Sequence, residues 1–600
     1  MWTSSLLAFV QTKALLARCQ WVFVAFLSIS LFTSHQPVQA KLTDGQSFDF
    51  VIVGGGSAGC VLANRLSEVG NWTVLLVEAG GDSPVLSNSP GLSALLGVSF
   101  PDWNYYTLND GKTAQAHITK NIHEIKGKML GGSSSCNYMY YVRGNKADYD
   151  QWVSLGNPGW DWDTVTEYFK KSEGLMDSVI LNSASGPLHN TNGNILVTRP
   201  VYDSTRDFFN AFKENGHDIL IDTNGYQQLG YSPPSFTIGN NTRQSTVVSY
   251  LNPVKDRPNL FVVKNTFARK IIFDNNNNAI GVEVKTQTGK VVQVYASREV
   301  ILSAGSIASP QILMLSGVGP KEHLEKHNIN IVLDSPNVGR NLQNHMIVPV
   351  VLTGKKDLLS FIKTITDPIT YINTFPSPNI IGFVALDKNQ TYPDYQVTAL
   401  PLPRGSLVSK LFCLLVFKFE EKVCFPMLEA ALRGQSIFTL VTFLHPASRG
   451  QISLQSSNPE DLPIIETGFY SNVTDLKKFA RCVQDYTSVV NTTYFKSVKS
   501  EVVDLNVEGC EEFDFGSIEY WQCYVLNMVA TQFHAVGTCA MGPNGVVDER
   551  LRVRGLRRLR VVDASVMPTI TSGNTYTPVV MIAEKASDMI KADNGINNEK

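Results

Sequence analysis

The chain has 600 residues, of which 43% are hydrophobic and 17% are charged, and its formal net charge at pH 7 is −2. This apolar content is enough for a sizeable core and excludes a disordered chain. The near-neutral balance lacks the basic footprint of a nucleic-acid-binding protein, so no nucleic-acid partner is expected. The length predicts two to four domains or one large two-lobed unit.

The first 40 residues differ in character from the rest. Lys13 and Arg18 precede an apolar run from Trp21 to Phe32, and a polar stretch then ends at Ala40. This order is typical of a secretory signal peptide, and about a dozen apolar residues fall short of the roughly 20 that span a bilayer. We therefore expect residues 1–40 to be a signal peptide, the protein to be secreted (extracellular), and no stable membrane span. An uncleaved N-terminal anchor is the alternative.

Sequons and cysteines agree with secretion. Asn-x-Ser/Thr sequons, which predict a glycoprotein but also arise by chance, occur at Asn71, Asn240, Asn389, Asn472 and Asn491. Cys510 could pair with Cys523 and Cys413 with Cys424, although spacing alone leaves the connectivity open. No cysteine or histidine spacing is typical of zinc ligands, so no metal site is expected.

A nucleotide-binding pattern follows the leader. Asp49 to Val53 has the composition of a buried parallel strand, and it runs directly into the loop Gly54-Gly55-Gly56-Ser57-Ala58-Gly59. A helix is predicted from Cys60 to Ser67 and a second strand from Thr73 to Val77. Gly54 permits the tight turn, Gly56 lets the backbone approach a pyrophosphate, and Gly59 lets the helix pack close to the sheet.

Glu78 ends the second strand, 19 residues after Gly59. Its carboxylate can accept hydrogen bonds from ribose hydroxyls, and its charge would repel a 2′-phosphate. The helix N-terminus, with Ser57 and Ala58 in the loop that enters it, offers free N–H groups to phosphates. A dinucleotide site is therefore predicted, against the alternative of a plain glycine turn, but this pattern alone does not separate FAD from NAD.

Three further segments are distinctive. They are GKMLGGSSSCN at 127–137, GSIASPQILMLSGVGP at 305–320 and VGRNLQNH at 338–345. With the glycine loop, they resemble the signatures of the glucose–methanol–choline (GMC) oxidoreductase family, and NKADYDQW at 145–152 resembles its insect branch. The resemblance extends from about residue 47 to about 592, is weakest between about 350 and 440, and implies FAD as the cofactor.

The resemblance also implies the fold class. We expect an α/β protein, of two-lobed α+β type, in which a Rossmann-like FAD-binding domain accompanies a discontinuous substrate-binding domain built on an antiparallel sheet. Residues 47–345 would hold the FAD-binding core and the start of the substrate lobe. Residues 346–440 would form a variable part of that lobe. Residues 441–592 would complete it, carry the catalytic loop and return to the FAD domain.

Several residues match the family's cofactor contacts. The loop from Gly131 through Ser134 exposes many N–H groups and can border a flavin or its phosphates, although a plain polar turn is the alternative. By resemblance, Asn137 contacts the flavin, Ala268 the adenine side, and Asp563 and Ala564 the diphosphate. Thr575 and the following turn enter a helix N-terminus, which suits the electron-rich pyrimidine end of the flavin. Some members attach the flavin to a histidine in this loop; Cys136 stands there in this chain, so we expect non-covalent FAD.

The segment from Thr531 to Gly542 resembles the catalytic loop of the family. His534 matches its proton acceptor, a role that suits a side chain whose pKa lies near neutrality. Asn574 falls where members carry a second histidine or an asparagine, and it can hydrogen-bond the substrate oxygen. A helix cap is the alternative role of Asn574. His345 and His445 are expected to be structural or supporting.

The substrate is less determined. Residues 350 to 440 should build much of the pocket, and their apolar runs at 358–362 and 411–417 suit a bulky hydrophobic alcohol, such as a steroid or an aromatic alcohol, better than a sugar. The resemblance to the insect branch implies an ecdysteroid as the example. Core packing, or a dimer or membrane-facing patch, explains those runs equally well. The resemblance leaves a quinone-dependent glucose dehydrogenase and an aromatic alcohol oxidase as alternatives, with oxygen or a quinone as acceptor. A non-catalytic flavin-binding protein is the alternative class, and no oligomeric state is predicted.

Overall fold

A computed structural model describes residues 37–91, 100–356 and 379–596. The expected signal peptide therefore lies outside the described residues except for 37–40, and the apolar run at 358–362 lies outside them entirely. Gln39 exchanges two hydrogen bonds with the backbone of Lys264, at 3.1 and 2.8 Å. Among the described residues, no helix is both long and apolar enough to cross a bilayer.

The first sheet, called here the nucleotide sheet, has seven strands. Five are mutually parallel and lie in the spatial order Leu260–Val263, Val74–Val77, Gln46–Val53, Val291–Leu302 and Leu559–Val561. The second half of the long strand Val291–Leu302 pairs with Leu559–Val561. Its first half pairs antiparallel with Ala279–Lys285, which in turn pairs antiparallel with Phe267–Phe273. The central strands are buried along most of their length, as expected where helices cover both faces of a parallel sheet.

The glycine loop sets the start of the first helix. This helix, Ser57–Leu66, begins three residues earlier than the pattern predicts, because Gly56 already serves as its N-cap. Gly54 has a φ of +102°, a conformation that L side chains rarely adopt, and a side chain at Gly59 would collide with the Gly54 carbonyl oxygen. The C-terminal helix Tyr576–Asp593 packs on this first helix, so the two ends of the chain form one unit.

The second sheet, called here the substrate sheet, is antiparallel throughout. Its six strands lie in the order Ala530–Thr531, Met346–Thr353, Ser436–Phe443, Tyr395–Leu402, Ile380–Val384 and Gly230–Ser232. Helices pack against its outer face; they are Glu421–Arg433, Val473–Thr487 and Ile518–Met528. The predicted combination of a Rossmann-like sheet and an antiparallel sheet is confirmed.

Shorter elements connect these layers. Within the described ranges, the remaining α-helices are Lys146–Ser154, Trp162–Ser172, Ser178–Leu181, Arg206–Glu214, Gly305–Leu315, Lys321–Lys326, Val408–Leu411 and Thr493–Ser497. Two-stranded ribbons pair Tyr105–Tyr106 with His123–Glu124, Glu173–Leu175 with Ile195–Val197, Ile238–Gly239 with Thr242–Arg243, Val318–Gly319 with Leu333–Asp334, and Gln451–Ser453 with Ile464–Glu466. Both disulfides that the sequence left open are formed, Cys413–Cys424 and Cys510–Cys523. All five sequon asparagines are exposed.

Candidate active site

A cavity of about 1090 Å³ lies between the two sheets. Its walls include the carboxyl ends of the parallel strands, at Val53, Val77 and Ser303, and residues of the substrate sheet such as Thr398 and Leu440. The volume lies slightly above the roughly 300–1,000 Å³ that is usual for small-molecule sites. Ligands of open α/β sheets bind at this edge, so the cavity is the candidate site.

One end of the cavity is walled by backbone. Gly54, Gly56, Ser57 and Ala58 line it, and a side chain placed on Gly132 would come within 2.8 Å of the Gly56 Cα. The two glycine loops therefore touch with no side chains between them. The resulting surface of bare N–H groups at a helix N-terminus suits a diphosphate.

Glu78 lies beside these loops and also lines the cavity. Its carboxylate accepts hydrogen bonds from the N–H of Gly55 at 2.8 Å and of Gly80 at 2.7 Å. Burial raises the pKa of Glu78 to about 7, and the two backbone hydrogen bonds oppose that rise. The carboxyl group is thus held in a fixed orientation at the end of its strand.

Most predicted cofactor residues meet in the same cavity. Ser134, Asn137, Ala268, Asp563, Ala564 and Thr575 all contribute to its lining. Gly59 and Gly131, which were also predicted to bind the cofactor, do not line the cavity. Both shape the backbone that lies behind the cavity wall. Gly59 allows the helix to approach the Gly54 turn, and Gly131 adopts a φ of +81° at the start of its loop.

Four side chains form a hydrogen-bonded row across the catalytic end. Gln396 Nε2 donates to Asn574 Oδ1 at 3.1 Å, which orients the Asn574 amide. Asn574 Nδ2 lies 3.4 Å from His534 Nε2, and His534 Nδ1 lies 2.9 Å from His345 Nδ1. His534 and Asn574 both line the cavity, so the structure brings together the two residues predicted to be catalytic.

The row assigns the histidine tautomers. Asn574 presents an N–H to His534 Nε2, so that nitrogen is an acceptor and Nδ1 of His534 carries the proton. His345 Nδ1 must then accept, which places the proton of His345 on its Nε2. His534 therefore keeps a lone pair on the nitrogen nearest Asn574.

Burial keeps this histidine pair neutral. It lowers the pKa of His534 well below its ordinary value of 6.5, and repulsion from the Lys126 ammonium, and from His345 when that ring is protonated, lowers it further. Burial and the neighbouring His445 lower the pKa of His345 to about 3. The basic form of His534 is therefore the resting form at neutral pH.

The loop that carries His534 is held in a strained conformation. Phe533 has a φ of +63°, and its carbonyl oxygen accepts a hydrogen bond from Lys126 Nζ at 2.7 Å. Lys126 also pairs with the buried Glu124 at 2.6 Å. Asn344 completes the clamp, since it donates to Glu124 at 3.1 Å and accepts from the His534 N–H at 3.0 Å.

Sequence reasoning missed several supporting residues. Lys126 directly precedes the segment at 127–137, and Asn344 lies within the segment at 338–345, so their motif positions were available signals. Gln396 lies in the part of the sequence where the family resemblance is weakest, and no motif there pointed to it. Arg243 was also missed: it is fully buried and donates to Asn137 Oδ1 at 2.8 Å.

Much of the remaining cavity lining is apolar. Its lining there includes Leu400, Leu402, Leu407, Val408, Leu411, Phe412, Phe417 and Leu440. Phe412 and Phe417 flank Cys413, whose disulfide to Cys424 ties this segment to the helix Glu421–Arg433. Within the described residues, no group of three or more His, Cys, Asp or Glu side chains is placed to hold a metal ion.

Comparison with known proteins identifies the family. The N-terminal and C-terminal profiles of GMC oxidoreductases match residues 48–347 and 446–583. Ecdysone oxidase of Spodoptera littoralis is 38% identical over 572 residues, 94% of each chain, and glucose dehydrogenase [FAD, quinone] of Drosophila melanogaster is 34% identical, over 91% of this chain and 87% of that one.

Solved structures agree with this assignment. Pyridoxine 4-oxidase from Mesorbium loti has a TM-score of 0.75 at 27% identity, with 90% of this chain and 98% of that chain covered. A variant of formate oxidase from Aspergillus oryzae RIB40 has a TM-score of 0.77 at 28% identity, with 92% and 99% covered. The chain belongs to the GMC oxidoreductase family and is an FAD-dependent oxidoreductase that acts on alcohols.

Proposed function

We propose that the protein is a secreted enzyme that oxidises a bulky hydrophobic alcohol of ecdysteroid type, with His534 as the base and oxygen or a quinone as the final acceptor. The observation that carries this proposal is the position of the His534–Asn574 pair in a cavity whose lining, outside the residues assigned to the cofactor, is largely apolar. We assign residues 47–345, 346–440 and 441–592 to the parts of the two lobes given above.

The residues present fit FAD. The side-chain-free cradle at Gly56 and Gly132, the N-terminus of Ser57–Leu66 and the acid Glu78 form the nucleotide end. Ser134, Asn137, Ala268, Asp563, Ala564 and Thr575 would hold the rest of the cofactor. When bound non-covalently, FAD accepts the hydride from the carbinol carbon of the alcohol.

His534 would remove the hydroxyl proton. Its Nε2 lone pair accepts from Asn574 Nδ2 at 3.4 Å, and the hydroxyl of a bound alcohol would replace that donor; His345 accepts the Nδ1–H that this tautomer requires. The hydroxyl hydrogen of the alcohol moves to Nε2, and the resulting positive charge spreads over the imidazole ring. A bulky alcohol that fills the cavity would displace water from Nε2 before the proton is transferred.

Asn574 would orient the alcohol. Gln396 holds its Oδ1, so its two N–H hydrogens remain directed at His534 and the cavity. An N–H aimed at the substrate oxygen stabilises the negative charge that develops as the proton leaves. The clamp formed by Glu124, Lys126 and Asn344 fixes the backbone on which His534 depends.

Substrate size and polarity follow from the apolar wall. Eight aliphatic or aromatic side chains surround the space beyond His534, and burying a ligand against them yields about 25 cal/mol per Å² of apolar surface. A sugar would leave its hydroxyls without partners on that wall. The names of two relatives, ecdysone oxidases of Spodoptera littoralis and Bombyx mori, support the same choice.

Anaerobic flavin reduction tests this proposal. The purified holoenzyme is mixed with ecdysteroids, aromatic alcohols and glucose, and the loss of flavin absorbance is followed; oxygen or a quinone is then added. We expect fast reduction by ecdysteroids and little by glucose. Preferential reduction by glucose would replace this proposal with a glucose dehydrogenase, and a flavin that no alcohol reduces would indicate a non-catalytic flavoprotein.

A further inference from the structure

A polar pair interrupts the apolar part of the cavity. Asn379 and Tyr140 both line the cavity, and both are at least nine-tenths buried. Asn379 Nδ2 donates to the Tyr140 hydroxyl at 2.5 Å. Tyr140 is held in turn by Phe236, whose ring centroid lies 5.0 Å from its own.

This hydrogen bond determines what the pair offers to a ligand. Because Nδ2 is engaged with Tyr140, Asn379 Oδ1 is an acceptor, and among the described residues it has no hydrogen-bond partner. The Tyr140 oxygen accepts from Asn379 and keeps its own O–H hydrogen to donate. The Oδ1 atom is itself closed off from solvent, so the polar group that this pair presents to the cavity is the Tyr140 hydroxyl, whose orientation the Asn379 amide fixes.

Strand register places this pair far from the catalytic end. Gln396, Thr398 and Leu400 alternate along one strand and share a face; Gln396 contacts Asn574, and Leu400 lines the cavity. Ile380 pairs with Ala399, so Asn379 lies next to Leu400. Four residues of strand span about 13 Å, which separates the polar pair from the Asn574 end by on the order of 10 Å.

We propose that Asn379 and Tyr140 form a second polar subsite, which binds a hydroxyl group of the substrate at a distance from the hydroxyl that is oxidised. The substrate is therefore a rigid apolar alcohol with polar groups at two separated positions, rather than a simple aromatic or aliphatic alcohol. The ligand hydroxyl accepts from the Tyr140 O–H, which the hydrogen bond from Asn379 orients. This inference rests on the proposed function and narrows its substrate class.

The test compares two rigid polycyclic alcohols that differ only in a second hydroxyl group about 10 Å from the oxidised one. We measure kcat/KM for flavin reduction by each alcohol, and the Kd of each ketone product from its perturbation of the flavin spectrum. The holoenzymes are wild type, Asn379→Leu and Tyr140→Phe. Tyr226→Phe, which alters a phenol that is 72% exposed, serves as the matched control.

Wild type and the control should prefer the dihydroxy compounds, and each subsite variant should reduce that preference by about 3- to 10-fold, the worth of one neutral hydrogen bond. Rates with the monohydroxy alcohol should change less than twofold. An unchanged preference in both variants, at wild-type FAD content and Tm, overturns the subsite alone. A wild-type flavin that neither alcohol reduces overturns the proposed function and this inference with it.

Discussion

Replacement of His345 by leucine should slow alcohol oxidation although His345 does not line the cavity. His345 is fully buried, and its Nδ1 accepts the only hydrogen bond assigned to His534 Nδ1. Leucine fills a similar volume but removes that acceptor. The Nδ1–H of His534 then lies buried without a partner, and the other tautomer, with its proton on Nε2, gains population. That tautomer cannot take the hydroxyl proton of the alcohol.

The size of this effect follows from the cost of an unpaired buried donor. At about 1–3 kcal/mol, the shift toward the wrong tautomer lowers the rate of flavin reduction by about 5- to 150-fold. Asparagine at the same position places Oδ1 near the site of the imidazole Nδ1 and can accept the same hydrogen bond. His345→Asn should therefore recover much of the rate that His345→Leu loses.

Stopped-flow reduction under anaerobic conditions separates this effect from misfolding. His345→Leu should lower the limiting rate constant, leave the KM of the alcohol within about twofold, and retain FAD. A rate within twofold of wild type would refute the tautomer assignment. Equal rates for the leucine and asparagine variants would show that packing, rather than the hydrogen bond, explains the loss.

Further predictions concern pH, the cofactor end and the cavity segment. Because the pKa of His534 in the folded protein lies below 6.5, the rate of flavin reduction should stay constant as pH falls through 6.5. Unfolding titrations should show the free energy of unfolding declining below that pH, because the histidine of the unfolded chain gains a proton there. A reduction rate that falls with an apparent pKa near 6.5 would contradict the burial argument. Glu78→Gln replaces one acceptor oxygen by a donor that opposes a backbone N–H, so the variant should lose FAD on gel filtration, and full retention would contradict the role given to Glu78. The double variant Cys413→Ala and Cys424→Ala should lose about 2–4 kcal/mol of stability. It should also raise the KM of bulky alcohols more than that of small ones. An unchanged KM would show that the disulfide-bonded segment does not contribute to substrate binding.

The nucleotide end was largely predictable because its requirements are local. The turn at Gly54 and the acid at Glu78 are consequences of backbone geometry and charge that recur wherever a strand meets a phosphate-binding helix. The same local logic explains the error at the helix start, where Cys60 was expected and Ser57 is observed. The N-cap position of Gly56 depends on how tightly the turn closes, which composition does not encode.

The substrate end was less accessible from sequence because its contacts join distant segments. His345, Gln396, His534 and Asn574 touch only through the packing of four separate elements. The clamp on Phe533 likewise combines residues about 190 and 400 positions away along the chain. Periodicity and spacing carry no information about such pairings, so Gln396 could be found only from the fold.

The central claim is that His534 is the base for alcohol oxidation, and His534→Ala tests it most directly. With FAD content equal to wild type, anaerobic flavin reduction by the best alcohol should slow by about 10²- to 10⁴-fold, the usual contribution of a positioned acid or base. Retention of the full wild-type rate of alcohol-dependent flavin reduction would contradict the account.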